Sequence, residues 1–382
     1  MSRVLITGGA GFIGTHLAQA LNAAGYKVHV LDTLSPQVHG PKADLPEVLR
    51  TLPGISFQRG SVTDRAALIQ ALDGVETVIH LAAETGTGQS MYEIARYTST
   101  NVQGTAELMD ILATEPGHRV RRILLASSRS IYGEGAYIRP SDGVRMTPES
   151  RKAEALKARQ WEPVCPTTGE ALELAATHED DRAAPASVYA ATKLAQEDLV
   201  RISCDSLGIG HAILRLQNVY GEGQSLANPY TGILSIFSTR IRRGLDLPIF
   251  EDGQESRDFV HVSDVTAAFV AATRAEQPAN ATMNIGAGRN TSVLEVADAL
   301  SRAFGMEPNL RITGEFRLGD IRHNYADTSR ARDILGHRPG VDLAEGLARF
   351  AAWVSDQPLP ADRLDSANAE LKSRNMMGQA PR

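Results

Sequence analysis

Two residues one helical turn apart, Tyr189 and Lys193, are the strongest candidates for chemistry in this sequence. A spacing of four puts both side chains on one face of a helix. A tyrosine hydroxyl titrates near pH ~10 and is a poor base at neutrality, but a neighbouring ammonium favours its phenolate. Such a phenolate can take the proton of a hydroxyl while hydride leaves the same carbon. Taken alone, the spacing equally describes a surface tyrosine beside a solvated lysine. It gains meaning from glycines near the other end of the chain.

Directly after the run VLIT at 4 comes Gly8-Gly9-Ala10-Gly11-Phe12-Ile13-Gly14, which satisfies both G-x-G-x-x-G and G-x-x-G-x-x-G, and a helical pattern follows. Glycines at these places allow a tight turn, a close approach of backbone to a pyrophosphate, and close packing of helix on strand. The helix amino end adds free N–H groups and a positive dipole. A glycine-rich turn without a ligand is the plain alternative, and the order strand, turn, helix argues against it. Asp32 ends the second β-branched run about 20 residues downstream, where a carboxylate bonds ribose hydroxyls and repels a 2′-phosphate. The expected cofactor is therefore NAD, whose oxidised nicotinamide would also favour the phenolate; otherwise Asp32 is an ordinary turn residue.

These residues need a scaffold, and the chain supplies one by alternation. Short apolar runs (VLIT at 4, VHVLD at 28, VIHLA at 78, ILLASS at 123, HAILRL at 211) are separated by helical patterns such as THLAQALNAAG at 15 and AALIQALDG at 66. Runs of this kind are strands buried on both faces, so the expected fold class is α/β, a doubly wound parallel sheet of the Rossmann type. At 382 residues, two lobes are expected. Residues 1–217 read as the dinucleotide-binding domain, with 255–288 returning to it and 134–186 as a lid-like insertion. Residues 218–254 and 289–356 read as a smaller α/β substrate lobe, and 357–382 as a polar tail, mobile or draped over the surface. A net charge of −6 offers no general field for nucleic acid, so none is expected as a partner. The two cysteines, the absence of a leader before the first strand, and the lack of any run of ~20 apolar residues predict a cytoplasmic protein without a membrane span.

Further strings accompany the glycines and the tyrosine–lysine pair: HLAA at 80, NVQGT at 101, SSRSIYG at 127, RLQNVYG at 215, RDFVHVSDV at 257 and GDIR at 319. With them, over residues 3 to 356, the chain resembles the extended short-chain dehydrogenases/reductases, in the NAD-dependent epimerase/dehydratase branch. The resemblance implies a catalytic set of Ser128, Tyr189 and Lys193. It implies cofactor contacts from Gly8, Gly11, Phe12, Ile13, Gly14 and Asp32, from Leu81, Ala82, Ala83 and Asn101, and from Tyr189 and Lys193. It places Thr85, Gly86, Ser128, Ser130 and Asn218 at the substrate, with Arg257, Arg317 and Arg322 as partners of its diphosphate. Where the family often has an acidic residue near the adenine, Gly60 is followed here by Ser61, and Asp64 is the displaced candidate.

Sugar dehydratases of the family usually carry Asp-Glu after the catalytic hydroxyl residue, because eliminating water needs a further acid and base; this chain has Arg129-Ser130. Epimerisation through a keto sugar, with NAD regenerated each turnover, is the expected reaction. The segments ETGTGQSMY at 84 and WEPVCP at 161 look similar to those of dTDP-L-rhamnose 4-epimerases, which interconvert dTDP-L-rhamnose and dTDP-6-deoxy-L-talose. A UDP-hexose 4-epimerase, a reductase releasing its cofactor, and a cofactor-sensing protein of the same fold are the alternatives. Thr168 stands where that subgroup has a second cysteine, so Cys165 lacks a thiol partner for structural zinc and no metal is expected. The resemblance also implies a homodimer packed through the helix bearing Tyr189.

Overall fold

The structure, a computed structural model, describes residues 2–40, 43–226, 232–362 and 364–380. Residues 227–231 of the expected substrate lobe, and 363 and 381–382 of the expected tail, lie outside the described residues. In chain order the principal elements are β1 (Arg3–Thr7), α1 (Phe12–Ala23), β2 (Lys27–Asp32), β3 (Ile55–Arg59), α2 (Arg65–Ala71), β4 (Thr77–His80) and α3 (Gly104–Thr114). They continue with β5 (Arg122–Ser128), α4 (Val188–Leu207), β6 (Gly210–Leu216), β7 (Asn218–Tyr220), α5 (Ile233–Arg242), β8 (Phe259–His261), α6 (Val262–Arg274) and β9 (Ala281–Ile285). Then come α7 (Val293–Ala303), β10 (Glu315–Arg317), α8 (Leu343–Ser355), α9 (Leu364–Ser373) and β11 (Met377–Gln379).

Seven strands form one parallel sheet in the order β9-β6-β5-β4-β1-β2-β3. The apolar runs make strands because helices cover both faces. Leu17 and Leu21 of α1 and Phe269 of α6 bury one face, and Leu68, Leu108 and Val200 of α2, α3 and α4 bury the other. The register aligns the strand ends: Thr7 pairs with Leu31 and with His80, and His80 with Leu125. Strand order reverses between β1 and β4, so a crevice opens beyond their carboxyl ends. Phe237, Leu300 and Phe350 of α5, α7 and α8 form a separate apolar cluster beside this sheet.

Local signals set the helix ends near the site. Ser187 caps α4 by accepting from the Ala190 N–H at 3.1 Å, and α4 stops at Gly208, whose φ of 67° is left-handed.

Two outlying segments take more definite structure than the sequence suggests, and the first does not form the expected lid. Residues 134–186 were read as a lid or rim, but among the described residues none of them lines the cleft described below. They form a small antiparallel sheet instead, and buried Arg151 pins them down, donating to Glu251 Oε2 at 2.7 Å and to the Asp320 carbonyl at 3.0 Å. Cys165 lies in a turn of this segment, its thiol 3.2 Å from the Thr167 hydroxyl and 3.5 Å from Arg139. The polar tail, in turn, carries a helix and a strand. β11 pairs antiparallel with β10, Ala380 joins Leu156, Trp161 and Phe316 in an apolar cluster, and Arg374 lies 4.1 Å over the ring of Tyr92. The cause is a sparse apolar stripe, Leu364, Ala367 and Leu371 at helical spacing followed by Met377, all buried within a polar average.

Candidate active site

One cleft, enclosing about 520 Å³, runs from the β1–α1 turn to the start of α4 and on to β7. At its first end the backbone is shaped to leave room. A Cβ on Gly8 would lie 2.8 Å from the backbone of Ala82, and one on Gly14 would lie 2.5 Å from Gly9 Cα. Gly11 begins α1 with no side-chain cap, so the N–H groups of the first turn point out of the helix without carbonyl partners. Gly8, Gly11, Phe12, Ile13, Gly14 and Asp32 all line the cleft. The Asp32 carboxylate accepts from the Ala10 N–H at 3.0 Å and the Leu34 N–H at 2.8 Å, which orients it at the strand end. A turn this tight, an uncapped helix end and an oriented carboxylate fit the pyrophosphate and ribose of a dinucleotide such as NAD.

The floor of the cleft is Leu81, Ala82 and Ala83, which follow β4. A buried polar chain holds them. Thr7 Oγ1 accepts from the Ala82 N–H at 3.3 Å and lies 2.7 Å from His80 Nδ1, and His80 Nε2 reaches Thr105 Oγ1 at 3.0 Å. Burial, with a smaller push from Lys193, takes His80 down to about 3, so it is neutral and structural.

The sequence-predicted catalytic residues meet at the other end. Ser128 ends β5, Tyr189 lies in the first turn of α4, and both line the cleft with Lys193, Thr85, Gly86, Ser130 and Asn218. Burial raises the Tyr189 hydroxyl above its ordinary range, while the Ser128 hydrogen bond and then the Arg129 charge pull it back. Lys193 donates to the Ala126 carbonyl at 3.0 Å and stands 6.0 Å from the centre of the Tyr189 ring. Burial brings its ammonium down to about 8, opposed by Glu197.

Five expected contacts lie elsewhere. Asp64 caps α2, accepting from the Ala67 N–H at 3.1 Å, and does not line the cleft; Gly60, Ser61 and Val62 do. Asn101 is also absent from the lining. Fully buried, it accepts from the Glu84 N–H at 2.8 Å and donates to the Thr192 hydroxyl at 2.9 Å, tying the segment after β4 to α4. Arg257 is turned inward to Asp320 Oδ1 at 2.9 Å and the Ile321 carbonyl at 2.8 Å. Arg322 is held by Glu162 at 2.6 Å and by Asp252 at 2.7 Å, and Arg317 stacks on Phe250 and donates to Asn368 at 3.1 Å. None of the three arginines faces the cleft, because buried guanidiniums take the nearest carboxylates and carbonyls.

Three residues in or beside the site are not singled out by the sequence. Arg129 lines the cleft and donates through Nε to Asn218 Oδ1 at 2.8 Å; it had been read only as the absence of an acid pair. Tyr97 packs edge-on to Tyr189 at 6.5 Å between ring centres and donates to the Thr85 carbonyl at 2.6 Å. Glu197 grips Arg215 and Ser127, fixing α4 against β5 and β6. The one available signal was its position four residues after Lys193, on the same helix face.

The chain is 40% identical over 357 residues to a dTDP-L-rhamnose 4-epimerase of Burkholderia thailandensis, a match covering 93% of this chain and 95% of that protein. Among solved structures, the UDP-glucose 4-epimerase of Thermotoga maritima with UDP-glucose superposes with a TM-score of 0.74 at 28% identity, covering 92% of this chain and 98% of the other. MoeE5 in complex with UDP-glucuronic acid and NAD superposes with a TM-score of 0.71 at 30% identity, covering 93% and 99%. The sequence pattern of a single family matches residues 4–154 and 165–286. With its sheet order, its glycine turn and these matches in hand, the chain belongs to the NAD dependent epimerase/dehydratase family.

Proposed function

We propose that this protein is a nucleotide-sugar 4-epimerase that keeps NAD throughout its cycle, interconverting dTDP-L-rhamnose and dTDP-6-deoxy-L-talose. The observation that carries this reading is that Ser128, Tyr189 and Lys193 line the same cleft whose far end is the glycine turn and Asp32. The choice of sugar is supported by the 40% identity to a dTDP-L-rhamnose 4-epimerase across 93% of the chain. The glycine turn, Asp32 and Lys193 would hold NAD, which would supply a reversible hydride acceptor for C4 of the sugar. Tyr189 Oη would receive the C4 hydroxyl proton as the 4-keto sugar forms, and would return it as the hydroxyl is re-formed with inverted configuration. Ser128 would hold the reacting oxygen, in the cleft also lined by Leu81, Ala82 and Ala83. Elimination of water has no acid and base after Ser128, where Arg129 and Ser130 stand.

The test is to incubate the purified full chain, without added cofactor, with dTDP-L-rhamnose and separately with UDP-glucose. Formation of dTDP-6-deoxy-L-talose, with about one NAD per chain released on denaturation, is expected for a cofactor regenerated in place. Consumption of NADPH with turnover, or conversion of UDP-glucose alone, would overturn the reading. The family resemblance further supports a homodimer packed through helices that include α4, where Ile202 is 57% exposed. Sedimentation at the mass of one 41.1 kDa chain would refute it. A cytoplasmic location rests on Cys165 and Cys204, both free; among the described residues no helix is long and apolar enough to cross a membrane.

A further inference from the structure

We propose that Arg129 is a positioning residue for proton transfer: fixed by Asn218 in the cleft that holds Ser128 and Tyr189, its guanidinium supplies a positive charge that favours the Tyr189 phenolate. This deepens the proposed function and rests on Tyr189 being the proton carrier.

The geometry begins with the turn at residues 129–132, which follows Ser128 directly and is locked to the entry of α4. The Ala184 N–H donates to the Ile131 carbonyl at 2.8 Å, and a Cβ on Gly133 would lie 2.3 Å from the Ala184 carbonyl oxygen. Arg129 and Tyr189 are thus carried by segments tied together at Ile131 and Ala184. The second point is the state of the charge. Arg151, Arg215, Arg257 and Arg322 each have a carboxylate oxygen within 2.9 Å, as buried guanidiniums require. Among the described residues Arg129 has no ion-pair partner, and the Nε bond at 2.8 Å goes to the neutral amide of Asn218.

The charged groups acting on Arg129 are Arg257, Asp320, Tyr189 and Asp258. Asp320 is already paired with Arg257, and Asp258 accepts the N–H groups of Ala287, Gly288 and Ala326. Burial, then Arg257, bring Arg129 down to about 9, which leaves it charged at neutral pH. Around Tyr189 stand Ser128, Arg129, Lys193 and, edge-on, Tyr97, with Glu84, Arg96 and Glu93 beyond Tyr97. Lys193 directs its ammonium to the Ala126 backbone carbonyl, so among the described residues the cation beside Tyr189 bound only to a neutral side-chain amide is Arg129.

The test needs no substrate, which separates it from the choice of reaction. In the NAD-loaded full chain, the phenolate absorbance of Tyr189 is titrated as the difference between each protein and the same protein carrying Tyr189→Phe. Arg129→Gln is expected to raise the Tyr189 midpoint by about one pH unit, an approximately tenfold smaller phenolate fraction below it, and Arg129→Lys to restore most of the loss. In the epimerase assay the acid limb of kcat should move by the same amount, with KM changed less than about twofold. An unmoved midpoint overturns the proposal, and an unmoved midpoint with a raised KM assigns Arg129 to the substrate diphosphate instead. Should Arg129→Gln lose its NAD, Arg129→Met, which keeps the aliphatic stem, is judged by the same criterion. If the wild type epimerises nothing, the function reading fails while the titration still decides the role of Arg129.

Discussion

Removing one oxygen tests the centre of the site. Tyr189→Phe keeps the ring that packs against Tyr97 and leaves the glycine turn untouched, so NAD content should be unchanged while epimerisation falls by about 10²- to 10⁴-fold, the range for loss of a general acid–base group. NAD released per chain and the turnover rate, measured on the same preparation, check both halves. Glu255 offers a test of buried charge away from the cleft. Its Oε2 has no hydrogen-bond partner and lies 3.8 Å from Arg322, and burial, then Glu251, push it from 4.5 up to about 8. The native chain therefore holds a proton that the unfolded chain has released between those two values, and this residue's contribution to stability falls as pH rises through that window. Glu255→Gln should melt like the wild type near pH ~4.5 and progressively above it toward pH ~8, the gap growing by about 1–2 °C per kcal/mol for a chain of this length. A gap that stays constant across the series would show that Glu255 does not titrate there.

At the scale of elements, two junctions position the site. The β1–α1 turn is one, because a Cβ at Gly14 would meet Gly9 Cα at 2.5 Å and the Gly8 carbonyl oxygen at 2.6 Å, both backbone atoms that cannot swing aside. Gly14→Val should cost about 1–3 kcal/mol of overpacking and lose bound NAD, read by denaturant unfolding and by absorbance of the released cofactor. The other junction is α9 with β11. Leu371 packs by Gly88 and Arg374 covers Tyr92, so the tail braces the segment whose Thr85 and Gly86 line the cleft. Deleting residues 364–382 should raise KM for the nucleotide sugar about tenfold or more by loosening that wall, with NAD content little changed. An unchanged KM would mean the tail serves only the Trp161 and Phe316 cluster. That tail and the small sheet of 134–186 were the least legible elements, since strands of two or three residues carry too little periodicity to read.

At the scale of the whole molecule, direct bonds tie the sheet domain to the elements beyond the cleft. His16 of α1 reaches the Glu222 carbonyl at 2.7 Å, while the Glu222 side chain meets His261 and Arg349 at 3.0 Å each. A ligand lying along the cleft adds to those ties. Stripping NAD should therefore lower the unfolding free energy, and returning it at a hundredfold excess over Kd should restore about 2.7 kcal/mol, measured by denaturant titration. What the residues determined alone was what depends on short spans of chain: the apolar runs that became β1, β2, β4, β5 and β6, the glycine turn, and the helical turn linking Tyr189 to Lys193. Those follow from backbone geometry repeating every two or every 3.6 residues. Folding decided the rest. Arg257 turned to Asp320, 63 residues away, and Arg322 to Glu162, 160 residues away, while Arg129 was left with an amide in the cleft. A buried cation goes to whichever oxygen the assembled elements bring beside it, and nothing in the neighbouring sequence specifies that oxygen.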